Sequence, residues 1–153
     1  MPTGKKEDIY WGAMLGIAEM IKSGTTTFAD MYGDMDQVAQ ACIDTDIRAV
    51  LSRGIIGVAP NGNQALEENK ILFRDFNNAN DGKITVMFGP HAPYTCPPDF
   101  LQKVVKVSEK YNGEIHIHLA ETKGEVENCL KEYGKTPIAL MEKVGILDRG
   151  VLA

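Results

Sequence analysis

The sequence predicts an α/β fold in which four strands alternate with helices. Short β-branched or apolar runs recur along the chain, helical apolar patterns separate them, and glycine, proline or asparagine stands at several junctions. Strands that alternate with helices form parallel sheets, because each helix carries the chain back across the sheet. Four such units make either an open doubly wound sheet or half of an eight-stranded barrel.

The first elements have clear boundary signals. Apolar residues form a broad helical stripe at 7–22, which Gly24 ends. The strand Thr25–Met31 follows, and we expect Asp34 to cap a second helix that runs to about Thr45. The remaining predictions are strands at 48–51, 83–88 and 114–119, helices at 65–78, 99–111, 123–133 and 136–144, and an apolar segment that begins at 151.

Composition is that of an ordinary globular domain and argues against several classes of function. The 153 residues are 44% apolar and 24% charged, with a net charge of −5, which disfavours a nucleic-acid surface. No apolar run approaches the roughly 20 residues of a membrane span, and residues 1–11 lack the apolar core of a signal peptide. Three widely spaced cysteines are typical of a reducing compartment. We therefore expect a cytoplasmic protein without nucleic-acid or membrane partners.

The residues that suggest chemistry lie towards the ends of the last two βα strands. His91 follows the third strand, and His116 and His118 lie on the fourth. Residues two apart on a strand point to one face, where two imidazoles can bind a divalent metal. Glu121 follows at the strand end, within reach of a metal-bound water. From these residues alone, histidines that only pack or hydrogen-bond are the open alternative.

The roles of several other polar residues stay open at this point. His91 stands between two prolines and is either a fixed polar group over a pocket or a loop histidine bonded to backbone. Arg53 either binds an anionic or hydroxyl-bearing part of a ligand or is a solvated surface residue. Glu67–Glu68 are interpreted as a solvated helix face. Cys96 and His91 make a conceivable nucleophilic pair, but no orienting third group is evident.

Several stretches match a known pattern closely. They are SGTTTFADMY at 23–32, SRG at 52–54, LEEN at 66–69, FGPHAPYTC at 88–96 and HIHLAET at 116–122. With these motifs the chain resembles the amidohydrolase superfamily, specifically its 5-methylthioadenosine/S-adenosylhomocysteine deaminases and the related triazine chlorohydrolases. The resemblance implies a (β/α)8 TIM barrel with a divalent metal, and hydrolytic deamination of a small-molecule purine nucleoside such as 5-methylthioadenosine or S-adenosylhomocysteine.

The resemblance also implies a role for each matching residue. His118 corresponds to a metal ligand, and Glu121 to the catalytic acid/base that also contacts the substrate. His91 and Arg53 correspond to substrate contacts. His116 has no ligand role in the pattern and is expected in a deeper inward layer. The metal is expected to be zinc, with iron also suited to imidazole ligands.

Other parts of the pattern have no counterpart in this sequence. They are the HxH pair of the first barrel strand, a ribose-contacting glutamate, a sixth-strand histidine and an eighth-strand aspartate, while an arginine of some members is Ala65 here. We therefore expect residues 1–153 to be the central part of one barrel domain, about strands two to five. Such a segment should bind metal weakly or not at all and be inactive alone.

Two further expectations follow. Unpaired strand edges predict self-association of the segment. The alternatives to the deaminase are a chlorohydrolase or a guanine or cytosine deaminase of the same superfamily, and a non-catalytic α/β scaffold module.

Overall fold

The computed structural model describes residues 5–153, in which parallel strands alternate with helices. The strands are β1 (Thr27–Tyr32), β2 (Arg48–Ile55), β3 (Ile84–Pro90), β4 (Ile115–His116) and β5 (Val151–Leu152). The helices are α1 (Lys6–Lys22), α2 (Met35–Thr45), α3 (Gly62–Phe76), α4 (Ala79–Gly82), α5 (Pro98–Tyr111), α6 (Lys123–Tyr133) and α7 (Pro137–Val144), followed by a 3₁₀ turn at Ile146–Asp148. Residues 1–4, the start of the segment 1–11 that lacks the apolar core of a signal peptide, lie outside the described residues.

The five strands found in residues 5–153 lie side by side in chain order, and every adjacent pair is parallel. A doubly wound sheet reverses its strand order at a switch point, whereas this sheet continues in one direction and curls into a half-barrel. The predicted partial TIM barrel is therefore confirmed. The fifth strand was not predicted as such, because two residues, Val151 and Leu152, are too short a run to show a strand pattern.

Alternation along the strands separates a helix-facing side from a side that faces the interior of the half-barrel. The helix-facing residues are apolar and buried: Ala49, Leu51, Ile55, Ile84, Val86, Phe88, Ile115 and Ile117. Each large aliphatic or aromatic side chain buried there stabilises the fold by about 1.5–3 kcal/mol. The alternate residues include Ser52 and His116, whose side chains contact each other on the opposite side.

Two strand ends differ from the prediction and determine where the polar groups lie. β2 continues to Ile55, because its last residues pair with β3 as far as Pro90. β4 has only two residues in regular strand conformation. Consequently Arg53 lies within a strand, and His118 lies just beyond one.

The predicted cap of α2 is wrong, although the helix itself is where we expected it. Asp34 adopts a left-handed φ of 48° and its side chain makes no capping hydrogen bond. Its carboxylate instead lies 3.9 Å from Lys6 Nζ, because α1 packs along α2 and brings this cation close. Thr122 and Thr136, by contrast, cap α6 and α7 through their hydroxyls.

Cys42, Cys96 and Cys129 are all buried, free thiols. None of the helices in the described part of the chain has the length and apolar character needed to cross a membrane.

Candidate active site

Four polar side chains meet where the chain leaves β3 and β4. The rings of His91 and His118 have centroids 5.1 Å apart and lie nearly perpendicular. Tyr94 packs edge-on against His91, with centroids 5.6 Å apart, and its hydroxyl donates to Glu121 Oε2 across 3.3 Å. The structure thus brings together three of the four residues to which the sequence assigned roles.

Backbone hydrogen bonds beyond the strand ends set the two histidines side by side. The His91 N–H donates to Ile55 O at 2.9 Å, and the His118 N–H donates to His91 O at 2.9 Å. These bonds continue the parallel pairing of β2, β3 and β4 past their regular ends. The two imidazoles therefore lie side by side at the carboxyl ends of neighbouring strands, where active sites of such barrels form.

Contacts within the loop after β3 fix the His91 ring and remove a candidate nucleophile. His91 Nδ1 shares a 2.9 Å hydrogen bond with Thr95 Oγ1. Cys96 is buried and its thiol donates to Ile55 O at 3.1 Å. Burial raises the pKa of the Cys96 thiol, which disfavours the thiolate. The conceivable pair of Cys96 with His91 is therefore not formed.

Burial and neighbouring charges shift the titrating groups of the cluster. Burial lowers the pKa of His91, a charge on His118 lowers it further, and Glu121 opposes both. At neutral pH the His91 ring is therefore neutral and both donates and accepts hydrogen bonds. Desolvation and the Glu121 carboxylate raise the pKa of Tyr94, so this phenol keeps its proton and serves as a donor.

His116 lies apart from this cluster. Its Nδ1 is 3.2 Å from Ser52 Oγ on β2, its ring centroid is 6.3 Å from that of His118, and burial lowers its pKa. Within residues 5–153 no group of three or more His, Cys, Asp or Glu side chains is arranged to hold a metal ion. A catalytic zinc site needs about three protein ligands, so these residues do not form one on their own.

Arg53 is the sequence-predicted residue that the structure leaves outside the cluster. Its Nε donates to Glu68 Oε2 at 2.8 Å, and its Nη1 donates to Gly54 O. Together with Lys6 and Leu72 it lines a cleft of about 550 Å³ near α1 and α3. Glu68 is therefore the partner of a half-buried arginine and not simply part of a solvated helix face.

Sequence reasoning missed several residues that hold the site together. Asn69 is fully buried, its Nδ2 donates to Met87 O at 3.0 Å, and its Oδ1 accepts from the Gly89 N–H at 2.9 Å. A buried asparagine gives no distinct signal within the helical pattern. Glu125, which bonds the turn before α6, could have been found from the Thr-x-x-Glu spacing of a capping box. Tyr94 lies within the FGPHAPYTC motif at 88–96, but the resemblance assigned it no role.

The chain is similar in sequence to curated proteins over nearly its whole length. The 5-methylthioadenosine/S-adenosylhomocysteine deaminase of Desulfitobacterium hafniense (strain DSM 10664 / DCB-2) is 51% identical over 147 residues, which are 96% of this chain and 34% of that protein. The chain thus spans about a third of the length of the curated relatives that it matches.

Solved structures agree with the fold. An adenosine deaminase from Xanthomonas campestris with bound zinc superposes with a TM-score of 0.87 at 27% identity, over 97% of this chain and 34% of that one. An atrazine chlorohydrolase from Arthrobacter aurescens TC1, complexed with zinc, gives a TM-score of 0.82 at 20% identity, over 95% of this chain and 37% of that one.

The predicted resemblance is confirmed at the level of the family. The family model described as "Amidohydrolase family" matches residues 4–153. This chain belongs to the amidohydrolase family.

Proposed function

We propose that this chain is the central segment of a metal-dependent aminohydrolase whose full-length protein hydrolytically deaminates a purine nucleoside such as 5-methylthioadenosine or S-adenosylhomocysteine. The single observation that carries the proposal is the 51% identity, over nearly the whole chain, to a protein named for that activity. The meeting of His91, His118 and Glu121 beyond the carboxyl ends of β3 and β4 supports it.

Glu121 is proposed as the group that moves protons. Hydrolytic deamination adds the oxygen of water to the carbon that bears the amino group and breaks the bond from that carbon to nitrogen. One proton of the water must pass to the ring nitrogen and the other to the amino group, which leaves as ammonia. Glu121 is exposed and is hydrogen-bonded to Tyr94 alone among the side chains described, which leaves its other carboxylate oxygen free for this transfer. A general acid/base of this kind typically accelerates a reaction by about 10²–10⁴-fold.

His91 is proposed to bind the substrate. Its Nδ1 shares a hydrogen bond with Thr95 Oγ1, which leaves Nε2 to bond a substrate. Because burial keeps this imidazole neutral, it offers a hydrogen bond without adding a charge. Arg53 remains a proposed contact for an anionic or hydroxyl-bearing part of the substrate. Since its guanidinium bonds Glu68, that part of the substrate would have to extend into the cleft beside α3.

His118 is proposed as one metal ligand of the full-length protein. The remaining ligands would belong to the two thirds of the relatives' length that this chain does not match. A divalent metal, proposed to be zinc, supplies a Lewis acid that makes a bound water a nucleophile at neutral pH. Elemental analysis of the 153-residue chain after dialysis against a mild chelator should find far less than one metal per chain.

The test of the proposal is ammonia release from 5-methylthioadenosine by the full-length protein. Glu121→Gln should abolish turnover and leave the bound metal in place, because the amide cannot exchange protons but has nearly the same shape. Glu127→Gln, on the exposed side of α6, is the matched control and should be fully active. Turnover that survives in Glu121→Gln would refute the role proposed for Glu121.

The alternative functions predict activity towards other substrates. A chlorohydrolase would release chloride from a chlorinated triazine, and a guanine deaminase would act on the free base. The likeness to the chlorohydrolase, at 20% identity, supports the shared fold alone. A non-catalytic scaffold would release neither product. We propose a cytoplasmic location, which the three free cysteines support.

A further inference from the structure

The turn that carries Glu121 contains a strained residue. Ala120 has a φ of 54°, in the left-handed region where the Cβ atom approaches the following carbonyl oxygen. Among residues 5–153, every other non-glycine residue with a positive φ is an aspartate or an asparagine, types whose short polar side chains favour this region. An alanine persists there only where the surrounding contacts impose it.

The contact that imposes this conformation is the carboxylate of Glu125. Its Oε1 accepts the Ala120 N–H at 3.0 Å, and its Oε2 accepts the Glu121 N–H at 2.8 Å. Glu125 is only 5% exposed. Charge-assisted hydrogen bonds in a site shielded from water are stronger than those between neutral groups, so this carboxylate holds both peptide groups firmly.

This arrangement does more than an ordinary helix cap. In a capping box the glutamate at the third helical position bonds the backbone N–H of the capping residue itself. Here Thr122 caps α6 by accepting the Glu125 N–H at 3.1 Å. The Glu125 carboxylate reaches past Thr122 to the two preceding residues instead. The helix is already capped without these bonds, and their effect falls on the turn.

We infer that Glu125 is a positioning residue, which clamps the left-handed turn at Ala120 and so fixes the direction in which Glu121 leaves the backbone. The fixed backbone and the Tyr94 hydroxyl together hold the Glu121 carboxylate beside His91. The clamp is a property of the fold, and only its effect on turnover rests on the proposed function.

The test uses the full-length protein with Glu125→Gln, which keeps the size of the side chain but loses its charge and one acceptor. Amide hydrogen exchange over 118–124 should become faster, and kcat should fall about 10- to 100-fold with KM little changed, as when a catalytic group loses its alignment. Glu127→Gln is the matched control on the same helix. Glu127 lies 3.6 Å from Lys123 Nζ at the surface, and its loss should change neither quantity.

A second variant separates positioning from stability. Ala120→Gly removes the Cβ that disfavours the left-handed region, so the turn keeps its path with a weaker clamp. Adding Ala120→Gly to Glu125→Gln should restore part of the lost kcat, even where Tm stays low. If Glu125 only stabilised α6, Tm would fall and glycine would restore nothing, and that result would overturn the inference.

Failure of this inference is distinguishable from failure of the proposed function. If the unchanged full-length protein releases no ammonia from 5-methylthioadenosine or S-adenosylhomocysteine, the proposed function fails, and the exchange rates over 118–124 in Glu125→Gln still decide whether the clamp exists. If Glu121→Gln is inactive while Glu125→Gln matches Glu127→Gln in both exchange and kcat, the function stands and the positioning role is wrong.

Discussion

Tyr94 and Glu121 form a hydrogen bond of 3.3 Å that joins the loop after β3 to the loop after β4. The backbone bond from His118 to His91 and the contact of their rings join the same two segments closer to the strands. Glu121 is thus restrained through its side chain by Tyr94 and through its backbone by Glu125. The proposed acid/base therefore depends on residues from both loops.

Removing the Tyr94 hydroxyl should weaken catalysis only modestly. Tyr94→Phe keeps the ring against His91 and deletes one partly exposed hydrogen bond, which contributes about 0.5–1.5 kcal/mol. We expect kcat of the full-length protein to fall about two- to tenfold, and Tyr32→Phe, at a tyrosine that is 76% exposed, to have no effect. A loss as large as that of Glu121→Gln would show that Tyr94 itself transfers protons.

The same contact predicts a change in the titration of Tyr94. Desolvation and the negative charge of Glu121 together raise the pKa of this phenol. Glu121→Gln removes the charge, so the pKa of Tyr94 should fall towards its ordinary value near 10. A tyrosine carbon resonance followed by NMR through alkaline pH measures this directly. An unchanged pKa would mean that the two side chains are not in contact in solution.

Asn69 should matter for stability more than any exposed residue of α3. Asn69→Ala would leave the Met87 carbonyl and the Gly89 N–H buried without partners, and each such group costs about 1–3 kcal/mol. We expect the free energy of unfolding to fall by about 2–4 kcal/mol in urea denaturation. Asn63→Ala is the matched control, since Asn63 is exposed and bonds only Lys103. Equal effects of the two variants would contradict the proposed bridge.

The sequence predicted the alternation of elements because that signal is local. The stripe of α1 and the apolar run of β3 can each be read from their own residues. The direction of Arg53 could not be predicted in this way. Its contact with Glu68 joins residues 15 positions apart, and it depends on how far β2 extends, which pairing with β3 decides.

The same limit applies to the candidate site. His118 and Glu121 were found because their motif is contiguous. The supporting residues were missed because Tyr94 reaches Glu121, and Asn69 reaches β3, from other parts of the chain. The left-handed conformation of Ala120 could not be predicted from the sequence either, since alanine is common in every type of secondary structure.

Asp30 on β1 should make stability depend on pH. Burial raises the pKa of its carboxyl above the ordinary 3.8, although a bond from the Met31 N–H opposes this. The folded chain therefore holds a proton at pH values where the unfolded chain has lost it, and stability falls as pH rises from 3.8 through the raised value. Asp30→Asn should unfold at higher urea than the unchanged chain at pH 7, and the difference should vanish below pH 3.8. A difference independent of pH would contradict this assignment.

The open edge of β1 should drive the 153-residue chain to self-associate. β1 pairs with β2 along one side, and no other strand within residues 5–153 covers its second side. An uncovered strand edge pairs readily with another chain, and a lysine placed on it discourages such pairing. Ala29, which is exposed on β1, is the position for this change.

Light scattering with size-exclusion chromatography tests this expectation over a range of concentrations. The unchanged chain should show a mass above 16.8 kDa that grows with concentration, and Ala29→Lys should shift it towards the monomer. Ala18→Lys adds the same charge on an exposed face of α1 and should leave the mass unchanged, which separates an edge effect from simple charge repulsion. A monodisperse monomer at every concentration would show that the edge is protected by the chain itself. Equal shifts in both variants would assign the association to a surface other than β1.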